Sequence, residues 1–214
     1  MDVTIVDHGA GNLASVLRAL AHVGARPTLT SDPALVARAE RLVVPGQGAF
    51  PDAMRRLRSL GLDDAIRSFV ATERPYLGIC LGLQLLFDEG HEHGVTPGLG
   101  ILPGRCRALR ADGLKVPHMG WNTVERDGPG GKNAAMAGIA DGEYFYFVHS
   151  FIVEPAAATV GGERAGSGEP LEVLWSTHGE RFPAAVARGA LLACQFHPEK
   201  SQQAGLRLLG AFCR

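Results

Sequence analysis

The chain has 214 residues, 46% hydrophobic and 20% charged, a balance that excludes intrinsic disorder and allows one large α/β domain with a substantial core. Its 28 glycines are nearly twice the typical share of about 7%, so many tight turns and close backbone approaches are expected. Charges nearly cancel, 21 Lys and Arg against 22 Asp and Glu, and no basic run or one-sided basic helix occurs, so neither nucleic acid nor a membrane surface is an expected partner.

The N-terminus carries Asp2 and Asp7 and no basic n-region, so it does not read as a signal peptide. Residues 3–6 (VTIV) read as a buried strand, and residues 13–23 then place apolar side chains at helical spacing. A short strand at 27–30 precedes Asp32-Pro33, an N-cap followed by proline at the first helical position. Residues 41–44 (RLVV) form a third strand ended by Pro45-Gly46, and a helical region follows over about 51–72. PYLGIC is an apolar strand, and LGLQLLFDEG after it has a helical rhythm with a glycine stop. The uncharged apolar stretch 75–87 is too short for the roughly 20 residues that span a bilayer. This alternation predicts a doubly wound, mostly parallel sheet with helices on both faces.

From about residue 98 the texture changes to glycines, prolines and short alternating segments: RCRAL, WNTVE, YFYFVHSFIV, LEVLWS, AAVA and LLACQF. These predict an antiparallel extension of the sheet, closed by an amphipathic helix over 201–212. No repeat or linker divides the chain, so a single domain over 1–214 is expected. The four cysteines, Cys80, Cys106, Cys194 and Cys213, show no CxxC spacing and fit a reduced, cytoplasmic protein.

Gly78-Ile79-Cys80-Leu81-Gly82, between a strand and a helix, has the G-x-nucleophile-x-G form of a nucleophile elbow with Cys in place of Ser. A thiolate at the start of a helix is stabilised by the helix N-terminus. The alternative is a small buried hydrophobe, the commoner fate of cysteine. A cysteine nucleophile needs a base, and the base an orienting group. Gln195-Phe196-His197-Pro198-Glu199-Lys200 offers both: Pro198 keeps His197 extended, so Glu199, two residues on, approaches the same side. A purely structural His–Glu pair is the other possibility. Pro45-Gly46-Gln47-Gly48 at a strand end could turn an N–H toward an oxyanion together with the Leu81 N–H, or be a plain turn.

At these residues the chain resembles the class I, triad-type glutamine amidotransferases. PGQGAF, PYLGICLGLQLL, YFYFVHSF and QFHPEKS occur in that family's order and cover essentially the whole length. Within the family, DHGAGNLASV and VPHMGWN are similar to the glutaminase subunits of imidazole glycerol phosphate synthases. His8 and Phe151 depart from it, standing where those subunits usually, or frequently, have Tyr. The resemblance implies glutamine hydrolysis by Cys80, His197 and Glu199 with no cofactor or metal. It also implies glutamine contacts from Gly46, Gln47, Gly48, Leu81, Gln84, His149, Ser150 and Phe151. Ammonia would pass to a (β/α)₈ cyclase subunit in a heterodimer serving histidine biosynthesis. The cyclase would meet a loop containing His118, Met119, Trp121 and Asn122, with Asn12 near the same surface. The glutaminase of another amidotransferase, a stand-alone cysteine hydrolase of the same fold and a non-catalytic binding protein are the competing readings.

Two motifs have blander explanations. Gly9-Ala10-Gly11-Asn12-Leu13-Ala14 fits a dinucleotide fingerprint, with Asp32 near the distance of a ribose-binding acid, but Asp32 is accounted for as a helix cap. His91-Glu92-His93 lacks the further ligands a metal needs and is expected to be a solvated loop.

Overall fold

Along the first strands, successive side chains enter two different cores. The computed structural model describes residues 1–9, 11–127, 133–157, 160 and 170–214. Its first half runs β1 (Asp2–Val6), α1 (Leu13–His22), β2 (Arg26–Thr30), α2 (Pro33–Arg38), β3 (Leu42–Gly46), α3 (Phe50–Ser59), α4 (Leu62–Val70) and β4 (Tyr76–Cys80). Val3 and Ile5 of β1, Val43 of β3 and Leu77 and Ile79 of β4 face α1. Val6, Leu42, Val44 and Tyr76 face α2, α3 and α4. A period of two with both faces apolar is the signature of a sheet covered on both sides. The predicted helix over 51–72 is two helices, because Leu60 ends α3 and Gly61, at φ 67, adopts the left-handed backbone that starts α4 in a new direction.

The second half comprises α5 (Leu81–Gln84), β5 (Phe87–Gly90), β6 (Thr96–Pro97), β7 (Leu102–Ala108), β8 (His118–Arg126), α6 (Ala134–Ala137), β9 (Glu143–His149), β10 (Phe151–Pro155), β11 (Glu172–His178), β12 (Glu180–Arg188), β13 (Leu191–Cys194), a 3₁₀ turn (Pro198–Lys200) and α7 (Gln202–Phe212). Among the described residues the main sheet has nine strands in the order β2-β1-β3-β4-β13-β12-β11-β8-β9. The pairings from β2 to β13 are parallel and those from β13 to β9 antiparallel. A smaller sheet, β10-β7-β5-β6, packs beside it.

The helix expected over LGLQLLFDEG stops after Gln84, and Phe87–Gly90 is a strand. Leu81, Leu83, Leu85, Leu86 and Phe87 are all buried, so this run has no polar face to mark a helical period. Its carbonyls are taken instead by the returning chain, with Leu99 N–H donating to Leu85 O and Ile101 N–H to Leu86 O, both at 2.9 Å.

The elbow depends on backbones that nearly touch. A Cβ on Gly82 would lie 1.8 Å from the Val44 carbonyl oxygen, and one on Gly78 would lie 2.7 Å from the Gly82 oxygen. Gly82→Ala must therefore push α5 off β3. The expected loss is about 3 kcal/mol or more of stability, read as a lowered urea midpoint; an unchanged midpoint would contradict this packing.

Candidate active site

β3, β4 and β13 end side by side, with Gly46 opposite Cys80 and Cys194 opposite Ile79. This brings together, at one carboxyl edge, the three segments singled out in the sequence: PGQG after β3, the elbow after β4 and QFHPE after β13. Ligands of open α/β sheets bind at such an edge. Cys80 sits at φ 54, ψ −105, a conformation that non-glycine residues avoid and that surrounding contacts must hold in place. Those contacts are the Gly78 and Gly82 approaches already described.

His197 follows β13 and is fixed from both directions. Its N–H donates to Tyr146 O at 2.9 Å, and its carbonyl accepts from the Ser201 hydroxyl at 2.7 Å. Nδ1 lies 2.8 Å from Glu199 Oε1, with both side chains only 2% exposed. Nε2 is buried and makes no protein hydrogen bond among the described residues. Burial disfavours the imidazolium, but the Cys80 thiolate and the Glu199 carboxylate outweigh burial and raise the His197 pKa to about 10. Glu199 on Nδ1 and the nearby Cys80 both favour the protonated ring.

Gln195, which sequence reasoning passed over, is fully buried and donates from Nε2 to Cys80 Sγ at 3.4 Å. Its Oε1 accepts from Gln84 Nε2 at 3.1 Å, and Gln84 Nε2 also donates to Phe151 O at 3.2 Å. The signal for Gln195 was a polar residue directly after an apolar strand, one register step from the nucleophile. His149, at the end of β9, donates from Nδ1 to Phe151 O at 3.0 Å, while Ser150 forms the turn into β10. Phe151 therefore contributes its carbonyl, which the departure from Tyr leaves intact.

The Gly46-Gln47-Gly48 segment is braced from the first loop. The buried His8 donates from Nε2 to Pro45 O at 3.1 Å, and Arg56 Nη1 donates to Gly9 O at 3.1 Å. A Cβ on Gly11 would lie 3.8 Å from the Gln47 amide nitrogen, so the DHGAGN stretch lies against this segment; its Ala10 is outside the described residues. Gly48 is exposed, has φ +102, and has nothing near its Cα on the side-chain side. Leu81, buried, opens α5 against Gly46, where a Cβ would lie 2.8 Å from the Leu81 Cβ.

The expected VPHMGWN loop is largely strand: His118 begins β8, which pairs with β9 from His118–His149 to Val124–Glu143. Alternation then separates its residues. Met119 and Trp121 are 62% and 45% exposed, Asn122 is half-buried, and Asn12, at the start of α1, is exposed. His118 is not a surface residue as expected, because period two turns it inward, where it stacks on His178 at 4.2 Å and on Phe147 at 4.9 Å. Of the motifs with blander explanations, Asp32 does cap α2 by accepting from Ala34 N–H at 2.8 Å, and His91 lies 2.7 Å from Glu89. No group of three or more His, Cys, Asp or Glu suited to a metal occurs among the described residues, and no helix there is long and apolar enough to cross a membrane.

His118 and His149 are held neutral. Burial, then the neighbouring His178, lowers His118 to about 4; burial, then His118, lowers His149 to about 3. Burial lowers His8 as well. Below the ordinary value of 6.5 the unfolded chain binds protons that the folded chain refuses, whereas His197 is charged in both states there. Stability therefore falls as pH drops from about 6.5 towards 5, by up to about 1.4 kcal/mol per pH unit for each neutral histidine. Urea midpoints across this window should show that slope, and His118→Phe, which keeps a ring in the stack, should flatten it.

Comparison with known proteins agrees with this geometry. The family model described as glutamine amidotransferase class-I matches residues 4–213. The imidazole glycerol phosphate synthase subunit HisH of Aromatoleum aromaticum is 50% identical, covering 99% of this chain and 97% of the relative. The HisH subunit of Rhodopirellula baltica is 46% identical, covering 98% and 96%. Among solved structures, PurLQS from Thermotoga maritima superposes with a TM-score of 0.72 at 14% identity over 99% of this chain and 97% of that one. A crystal structure described as glutamine amidotransferase gives 0.69 at 22% identity over 98% and 96%. The chain belongs to the class I glutamine amidotransferases and, within them, to the HisH subunits of imidazole glycerol phosphate synthase.

Proposed function

We propose that this chain, acting over residues 1–214 as one glutaminase unit, hydrolyses glutamine to glutamate and ammonia at Cys80 and supplies the ammonia to a cyclase subunit for imidazole glycerol phosphate formation in histidine biosynthesis. The observation that carries the reading is the His197–Glu199 pair, buried at 2.8 Å beside a cysteine held at φ 54 on the same sheet edge. The Cys80 thiolate attacks the side-chain amide carbon. His197 gives its proton to the departing ammonia, leaving a γ-glutamyl thioester, and then takes a proton from the water that releases glutamate. Glu199 keeps the proton on Nδ1 and the ring in line, the part an acid plays in a triad. Leu81 N–H and the Gly46-Gln47-Gly48 backbone are assigned to the oxyanion, and Gln84, His149, Ser150 and Phe151 to the wall of the glutamine site. No cofactor or metal enters these steps, and the expected location is the cytoplasm.

A glutaminase without its acceptor wastes glutamine, and Gly48 at φ +102 with open space beside it gives the oxyanion segment room to rearrange. Low activity alone and higher activity with the cyclase and its nucleotide ligand are expected. The partner surface is assigned to Asn12, Met119, Trp121 and Asn122, with Tyr144 of β9, 59% exposed, beside them. An exposed Trp, Met and Tyr grouped on neighbouring strands suit the centre of an interface.

Cys80→Ser should abolish ammonia release in a stopped glutamate assay while the melting temperature holds. His197→Ala should do nearly the same, and Glu199→Gln should cost less. Retained activity in Cys80→Ser would overturn the mechanism, and full activity of the isolated chain would favour a stand-alone hydrolase. Trp121→Ala should weaken association with the cyclase by about 2 kcal/mol or more with little change in melting temperature. Calorimetry of both quantities on one preparation decides this, the reverse pattern meaning that the ring only packs.

A further inference from the structure

We propose that Gln195 is a positioning residue that presents an amide N–H to the Cys80 sulfur, and that its orientation is imposed through Gln84 by the Phe151 carbonyl, an acceptor on which a second arm, Asn122–His118–His149 from strand β8, converges. The proposal rests on the assignment of Cys80 as nucleophile and adds a device that holds it.

The direction of the chain follows from backbone groups that have only one role. Thr123 N–H donates to Asn122 Oδ1 at 2.8 Å, and Asn122 Nδ2 donates to Thr177 O at 2.9 Å, so the Asn122 amide has a single orientation. Nδ2 also lies 3.2 Å from His118 Nε2, which must accept. A neutral His118 then carries its proton on Nδ1 and donates to His149 Nε2 at 2.9 Å. His149 in turn carries its proton on Nδ1 and donates to Phe151 O, a carbonyl that can only accept. Every member has one compatible protonation state, and no link is frustrated.

The same carbonyl fixes the other arm. Phe151 O accepts from Gln84 Nε2, so the amide nitrogen of Gln84 faces it. The second N–H of that nitrogen points to Gln195, which must offer Oε1. Gln195 then has only Nε2 left to turn towards Cys80 Sγ. A donor at the sulfur favours thiolate over thiol and fixes its position, and a donor to a charged acceptor is worth more than a neutral pair. The other titratable groups acting electrostatically with Cys80 are His197, Cys194 and Cys106, with Glu199 behind His197. His178 on β11 faces both relay histidines, and His197 also acts on His149. Asn122 adjoins the exposed Trp121, so one arm runs from the assigned partner surface to the Phe151 carbonyl, and the other runs from Gln84 on that carbonyl to the Cys80 sulfur.

The test is the pH dependence of Cys80 alkylation by iodoacetamide, followed by peptide mass spectrometry, in the full chain and in Gln195→Met, which keeps the length and removes the donor. The acid limb should move up by about one pH unit in the variant. An unshifted limb overturns the proposal while leaving Cys80 as nucleophile, whereas a Cys80 that resists alkylation in the unsubstituted chain overturns both. A second measurement needs no variant: ¹⁵N spectra of the histidine rings should show His118 and His149 each protonated at Nδ1. A proton on Nε2 of either ring removes the donor from one side of the Phe151 carbonyl and overturns the convergent arrangement.

Discussion

Gly82 pressed against the Val44 carbonyl is the contact from which the site is built. With any side chain there, α5 could not start so close to β3, and the strand-to-helix turn would open. The turn in its present form puts Cys80 into a backbone conformation that costs of order 1–3 kcal/mol and that only rigid neighbours sustain. Those neighbours are the buried strands β3, β4 and β13, packed on both faces. Pairing of β3 with β4 sets Gly46 opposite Cys80, so the segments proposed for the oxyanion and the nucleophile share one scaffold.

Electrostatics at the edge divides into two regimes. Around His197 a carboxylate and a thiolate favour charge and hold the imidazolium despite burial. A few residues away, His118 and His149 are buried among rings and stay neutral, because a cation there meets only another imidazole. Protonated and neutral histidines on one sheet thus arise from what faces each ring. The charged ring is suited to proton transfer, and the neutral ones are suited to fixed, directional hydrogen bonding.

A single glutamine, Gln84, is proposed for the substrate wall and also bonds the Gln195 amide that reaches Cys80. Its nitrogen serves Phe151 O and Gln195 together, so anything that moves the Phe151 carbonyl changes the surroundings of the sulfur. The carbonyl belongs to the first residue of β10, directly after the turn from β9, and β9 is also the edge strand that carries Tyr144 beside Trp121. The surface assigned to the cyclase and the catalytic edge are therefore two sides of one antiparallel pair.

Much of this was legible in the linear order of residues. The alternating β-branched strands, the cap Asp32-Pro33, the glycines around Cys80 and the HPE step are local signals, since each depends on spacing within a few residues. They carried the doubly wound fold and the candidate set of Cys80, His197 and Glu199. What they did not carry depends on partners distant in the chain. The apolar run after Gln84 has no periodicity, and strand β5 arose because residues 99–102 return to take its carbonyls. His118 looked like part of a loop, and pairing with β9 turned it inward. Gln195 opened the QFHPE stretch with no role of its own, and β13 lying beside β4 puts its amide 3.4 Å from the Cys80 sulfur. Short-range sterics and capping are written in neighbouring residues, whereas register between strands far apart in sequence decides which polar groups meet.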